Sequence, residues 1–291
     1  MRHDGPVVIA LDGSPHSTQT LHWGLDEAEH RAAEAVLART YQVPLDRSGW
    51  GWYLVVAETP LRTEVSEYLD ETLDQATARS PGIVVTTRAL EGQEVPTLRA
   101  LSRDAQLLVV GAQGQAGRTR TGRVAAHLAA HSLCPVAVVR QASARSVVVG
   151  VDGSPTSLAA ADAAAREATW RSAPLVVLHA RPPLRAPNVT FVVPAIETAD
   201  ADDPTHRAAQ RTAATLREEN PGLEVRLELV DDEPAQALLA RSGPDDLVVV
   251  GSRGMGAFRG MLLGSVSSEV VRRAASTVLV VHDGEDLPDR S

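Results

Sequence analysis

The sequence repeats itself once, and the repeat limits the possible folds more than any other feature. Val8-Ile9-Ala10-Leu11-Asp12-Gly13-Ser14-Pro15 returns, at an offset of 140, as Val148-Val149-Gly150-Val151-Asp152-Gly153-Ser154-Pro155. The same offset carries Ser17 to Ser157, Leu107 to Gly111 onto Leu247 to Gly251, and Gly114 onto Gly254. Beyond that point the offset becomes 142, so that Gly122, Val124, Leu128 and Val136 meet Gly264, Val266, Val270 and Val278. One register held across a whole half describes a duplicated domain, and the step of two marks a length difference in one loop. A period this long suits tandem domains rather than a solenoid. A chain of 291 residues accommodates two such domains. The short, small and polar stretch Gln141-Ala142-Ser143-Ala144 sets the boundary, giving domains 1–142 and 143–291.

Within each half, strand and helix patterns alternate. The first half reads as strands at Val7 to Leu11, Ala35 to Tyr41, Ile83 to Arg88, Gln106 to Val110 and Val136 to Val139. Helices are expected at Ser17 to Arg31, Glu64 to Arg79, Pro96 to Ser102 and Gly122 to Ala130. The second half repeats the strands at Val147 to Val151, Leu175 to His179, Leu223 to Leu229, Leu247 to Val250 and Val278 to Val281. Several strands are unbroken Val/Leu runs, as in strands buried on both faces of a parallel sheet. Five such strands per half predict an α/β fold of two tandem, doubly wound, five-stranded parallel domains.

Composition removes several function classes. Lys+Arg 28 against Asp+Glu 37 leaves a net charge of -9, which argues against nonspecific binding to nucleic acid or an anionic membrane. Aromatic residues are only 3% of the chain, too few for a row of base-stacking side chains. The single cysteine, Cys134, excludes an intrachain disulfide and any Cys-rich metal cluster, and reads as a buried small side chain. No apolar run reaches membrane-spanning length and the N-terminus makes a poor signal peptide, so the expected location is cytoplasmic. That also leaves the acceptor pattern Asn188-Val189-Thr190 without consequence.

In an open parallel sheet, ligands bind beyond the carboxyl ends of the strands. Asp152-Gly153-Ser154 follows the first strand of the second half, and a glycine-rich stretch from Gly251 through Gly254, Gly256 and Gly260 to Gly264-Ser265-Val266 follows the fourth. Glycines allow positive φ and close approach, successive amides form an anion nest, and a helix start favours negative charge. The Ser265 hydroxyl suits a helix cap or a phosphate donor. Neither a Walker A loop nor the dinucleotide fingerprint fits this spacing. By itself the stretch is as compatible with a plain flexible loop as with a phosphate site.

The spacing Gly251-x2-Gly254-x9-Gly264-Ser265, with Asp152-Gly153-Ser154-Pro155 after strand one, resembles the nucleotide-binding signature of the universal stress protein family. The resemblance covers both halves and is similar to the tandem, two-domain, ATP-binding members of high-GC Gram-positive bacteria. It implies ATP as ligand, with Mg²⁺ or Mn²⁺ accompanying the phosphates. It places Asp152 and Asp12 on the adenosine part, Ala180 and Thr40 at the adenine, and Gly251, Gly254, Gly264, Ser265 and Val266 around the ribose and phosphates. Gly111, Gly114, Gly122 and Arg123 are the first-half counterparts. It further implies a homodimer that responds to stress, with a protein partner not identifiable from the sequence.

The first half departs from the pattern. Only seven residues separate Gly114 from Gly122, against nine between Gly254 and Gly264, and Arg123 stands where the second half has Ser265. No catalytic set or metal-ligating cluster emerges. His127 and His131 read as a solvent face, Ser17 and Ser157 as helix caps, and Trp50-Gly51-Trp52-Tyr53 as an apolar loop anchor or a cover for the first nucleotide. Three functions stay open at this point. They are a nucleotide-dependent regulator with at most weak hydrolysis, an ATP-using enzyme such as an adenylyl transferase, and a nucleotide-free structural dimer.

Overall fold

The computed structural model describes residues 5–42, 52–114, 122–141, 143–182, 203–256 and 263–282. The chain parts into two compact units between Ser143 and Ala144. The first runs β1 (Val7–Ala10), α1 (Ser17–His30), β2 (Ala35–Tyr41), α2 (Trp52–Arg79), β3 (Val85–Glu91), α3 (Glu94–Leu101), β4 (Leu107–Gly111), α4 (Arg123–His131) and β5 (Val136–Val139). Its strands are all parallel, in the order β3-β2-β1-β4-β5. The second runs β6 (Val147–Gly150), α5 (Pro155–Trp170), β7 (Leu175–Ala180), α6 (Pro204–Glu219), β8 (Val225–Val230), α7 (Pro234–Arg241), β9 (Leu247–Gly251), α8 (Ser265–Arg273) and β10 (Thr277–Val281). Its order is β8-β7-β6-β9-β10, again parallel. Both units are therefore the doubly wound α/β sheet that the strand patterns predict.

The strands in the middle of each unit are unbroken apolar runs. Val7, Val8 and Ile9 of β1, Leu107 to Val109 of β4, and Val147 to Val149 of β6 are fully buried. Each such side chain contributes roughly 1.5–3 kcal/mol relative to its exposed state. β3 and β8 carry Thr, Arg and Glu and are largely half-buried or exposed.

The repeat reaches down to single backbone angles. Gly13 and Gly153, in the turn after β1 and β6, have φ of 76° and 88°. Ala32 and Ser172 end α1 and α5 at φ 49° and 51°. There the amides of Ala33 and Ala173 reach back to Ala28 and Ala168 at 2.9 Å, a Schellman closure of the helix. Buried Glu27 pairs with Arg31, and buried Glu167 with Arg171, one helical turn on. Removing either arginine takes away the ion-pair partner of a buried carboxylate, a destabilising change. Between α1 and β1 the halves exchange volume. A Cβ on Gly24 would lie 2.6 Å from Cδ1 of Ile9, whereas the counterparts are Ala164 and the smaller Val149, both buried. The packed volume is conserved and redistributed, the pattern that cores tolerate best.

Several expected boundaries move. The helix expected from Glu64 begins at Trp52 and contains Pro60. β3 and β8 start two residues late because turns hold their predicted first residues. Ile83 N donates to Ser80 O and Leu223 N to Asn220 O. Trp50, Gly51, Ala142 and Asn188-Val189-Thr190 lie outside the described residues. Among the described residues no helix is long and apolar enough to cross a membrane.

Candidate functional site

The strand order reverses at β6 and β9 in the second unit, and there the two expected motifs meet. Leaving β6, the chain turns through Asp152 and the left-handed Gly153, then enters α5 at Ser154. Ser154 is the N-cap, accepting from the Ser157 amide, and Pro155 fixes the first helical φ. Ser157 is thus not the cap that its spacing suggested. Its hydroxyl instead accepts from the Gly153 amide at 3.2 Å and donates to Ser154 O at 2.9 Å, bracing the turn from inside the helix. Its counterpart Ser17 opens α1 rather than capping it and donates to Asp12 Oδ1 at 2.9 Å.

Both oxygens of Asp152 are engaged. Oδ1 accepts from the Ser154 amide at 2.9 Å and the Ser154 hydroxyl at 2.6 Å, while Oδ2 accepts from the Met255 amide at 2.8 Å. Burial pushes this carboxyl up, but the bonds from Ser154 and Met255 outweigh it and hold Asp152 below the ordinary carboxylate value. Asp152 is therefore an ionised latch between the turn after β6 and the glycine loop after β9.

The loop glycines owe their identity to that contact. Among the described residues of the loop none has a positive φ, contrary to the expectation for this stretch. A Cβ on Gly254 would lie 2.5 Å from Asp152 Oδ2, and one on Gly251 would lie 2.8 Å from the Thr156 carbonyl carbon. Close approach of protein to protein, not a special backbone conformation, excludes side chains at these two positions. Thr156 completes the joint by donating its hydroxyl to Arg253 O.

Gly264, not Ser265, is the N-cap of α8. Its amide donates to Ser252 O at 2.7 Å, and buried Ser267 donates to the same carbonyl at 2.9 Å. Ser265 is the first residue of the helix, exposed, with its hydroxyl unused among the described residues. Residues 257–262, including Arg259 and Gly260, lie outside the described residues.

Around this joint lies a cleft of about 240 Å³. It gathers seven predicted residues of the second half: Asp152, Ala180, Gly251, Gly254, Gly264, Ser265 and Val266. Val266 turns to the cleft instead of joining Val270 on the core face, where Ser267 is buried in its place. The sequence reading missed Pro234 and Leu238 of α7, which supply apolar wall opposite the loop. A signal was available: β8 lies beside β7, so the first turn of the helix after β8 must pass over the same strand ends. Among the described residues the cleft thus has aliphatic walls, the Asp152 carboxylate, Arg253 in its lining, and a helix start at Ser265.

The first unit builds the same joint with other side chains. Asp12 Oδ1 accepts from the Ser14 amide at 3.0 Å, and a Cβ on Gly114 would lie 3.0 Å from Asp12 Oδ2. Gly111 packs against Thr20, and Gly122 caps α4 with its amide on Ala112 O at 2.6 Å. Arg123 is exposed at the first position of α4, and Thr40 is half-buried near the end of β2. Two differences were not anticipated. Glu94 takes the place of Pro234, and its carboxyl is raised by burial first and by the Asp12 charge second. Arg39 takes the place of His179, lying over Gly13 and over the ring of Tyr68, 4.5 Å from its centroid. Residues 115–121 of this loop lie outside the described residues.

Two parallel five-stranded units, each with an Asp-Gly turn latched to a glycine loop at the strand-order reversal, define a class of open-sheet α/β protein with sites at the strand ends. The chain belongs to the universal stress protein family, whose model matches residues 5–140 and 143–282. It is 32% identical over 308 residues to a universal stress protein of Mycobacterium tuberculosis, covering 96% of each chain. A second protein of that name from the same species is 30% identical over 295 residues, covering 95% of this chain and 96% of the relative. In fold it is similar to a crystal structure of a universal stress protein from Archaeoglobus fulgidus, with a TM-score of 0.68 at 18% identity over 98% of both chains.

Proposed function

We propose that the protein binds ATP in the second-unit cleft and acts as a nucleotide-dependent regulator in a stress response. The observation that carries this reading is the convergence of three strand ends and one helix start on a single space. Ala180 and Leu178 of β7, with Leu238 of α7, offer an apolar wall suited to a flat heterocycle. Asp152 is held ionised beside them, as an acceptor for ribose hydroxyls. The Gly264 turn, the exposed Ser265 hydroxyl and the start of α8 suit phosphate oxygens. Among the described residues no group of three His, Cys, Asp or Glu side chains is placed to hold a metal. A Mg²⁺ or Mn²⁺ ion in this reading therefore arrives on the phosphates.

The regulator reading is preferred to an efficient ATP-using enzyme because, among the described residues, the cleft walls offer no second carboxylate and no histidine beside Asp152 to serve as a general base. The full chain is taken as a homodimer, with domains 1–142 and 143–291, whose nucleotide state is read by another protein. Mass spectrometry of small molecules released from the purified, denatured chain tests the reading. ATP is expected. A chain that releases no nucleotide and shows no heat on ATP titration contradicts it.

A further inference from the structure

The described residues hold two sulfur side chains, and their surroundings are opposite. Cys134 is buried, and burial pushes its thiol up to about 12, so at neutral pH it is a protonated and unreactive thiol. Met255 is 65% exposed and lines the cleft. Its neighbours Gly254 and Gly256 carry no side chains to shield it, and its own amide is the donor that closes the latch on Asp152 Oδ2 at 2.8 Å. The chain's most oxidant-accessible described sulfur therefore sits on the segment that shapes the candidate site.

We propose that Met255 is an oxidation site for hydroperoxides and that its sulfoxide weakens ligand binding in the second-unit cleft. The inference rests on the nucleotide reading above. In the step, a sulfur lone pair attacks one peroxide oxygen, the O–O bond breaks and an S–O bond forms. The departing hydroxide takes the remaining peroxide proton as water, so sulfur loses two electrons and the peroxide gains them. Thioether oxidation needs no deprotonation, so exposure rather than pKa sets the rate. The product replaces an apolar, polarizable wall with a strong dipole whose oxygen only accepts hydrogen bonds. That oxygen is introduced at the lining of a cleft proposed for an anion, an unfavourable contact.

The test treats the full chain with graded hydrogen peroxide, locates added oxygen by peptide mass spectrometry, and titrates ATP before and after. Met255 is expected to oxidise well before Cys134, and bound ATP to slow it. ATP affinity is expected to fall about fivefold on oxidation. The affinity of Met255→Leu, whatever its value before treatment, should be unchanged by peroxide, even with Met1 and Met261 oxidised. Three results would overturn the proposal: Met255 spared while Cys134 reacts, Met255 oxidised with affinity unchanged, or an equal loss in the leucine variant. A chain that binds no ATP before peroxide is added refutes the nucleotide reading itself, and is seen as a separate result.

Discussion

The turn after β1 and the turn after β6 share their sequence and backbone, yet the space above them differs in kind. In both, an aspartate takes the amide of the serine two residues on, and a loop glycine presses against its second oxygen. What differs is the rim. The second unit surrounds Asp152 with Pro234 and Ser265, whereas the corresponding residues around Asp12 are Glu94 and Arg123. Duplication has kept the residues that set backbone position and released those that set charge. Close-packed backbone joints tolerate no added atom, while a half-exposed rim tolerates many side chains.

The largest expected effect is at the joint itself. Gly254→Val places atoms 2.5 Å from Asp152 Oδ2 and should destabilise the second unit by about 2–4 kcal/mol while abolishing its ATP binding. Gly114→Val, at 3.0 Å from Asp12 Oδ2, should cost less. Thermal unfolding of the two variants checks the ranking, and equal losses would break the claim that the second joint is tighter.

A smaller effect separates the latch from the fold. Asp152→Asn keeps the shape but removes the charge that accepts from Ser154 and Met255, and should weaken ATP binding about tenfold with the fold retained. The sign with pH follows from its lowered carboxyl. The stability it confers is complete above its free value of 3.8 and is lost only as pH falls through the still lower folded value. Unfolding curves from about pH 7 to 3 should therefore show the wild-type advantage over Asp152→Asn disappearing only at the acid end.

The smallest effect concerns Glu94. Its carboxyl is raised, so the charged form is the disfavoured one, and the penalty is relieved as pH falls through the folded value. An anionic ligand in the first unit should gain affinity a few-fold as pH falls from neutral towards the free carboxylate value of 4.5, while the second unit, with Pro234, stays flat. Glu94→Gln should raise first-unit affinity at neutral pH and erase that slope. Titrations on chains whose second site is blocked by Gly264→Glu read this directly. A first unit with no slope would mean that Glu94 does not govern its ligand.

The fold was legible because a duplicated register and continuous Val/Leu strands carry it, and such signals depend on sequence alone. Asp152, Ala180 and Gly251 were legible for the same reason, being ends of strands. What escaped notice depended on neighbours. Pro234 and Leu238 belong to the cleft through the pairing of β7 with β8. Glu94 matters only through the charge of Asp12, 82 residues away in sequence. Ser154 rather than Ser157 caps α5 because Pro155 fixes the helix start one residue later. Gly251 and Gly254 were singled out for a reason the structure replaces. They make room for Thr156 and Asp152 rather than supplying positive φ.

The central claim is that the second-unit cleft is the tight ATP site. Gly264 is the residue on which to test it. Its φ of -70° suits any side chain, and a Cβ there would meet atoms no closer than 3.4 Å, so Gly264→Glu is expected to fold. The added carboxylate stands at the start of α8, where it repels phosphate. Calorimetric titration of ATP into the full-length Gly264→Glu chain, beside the wild type, is the decisive measurement. The account predicts that the tighter binding phase disappears and only the weaker first-unit phase remains. A folded Gly264→Glu chain that keeps the tighter phase unchanged would contradict it.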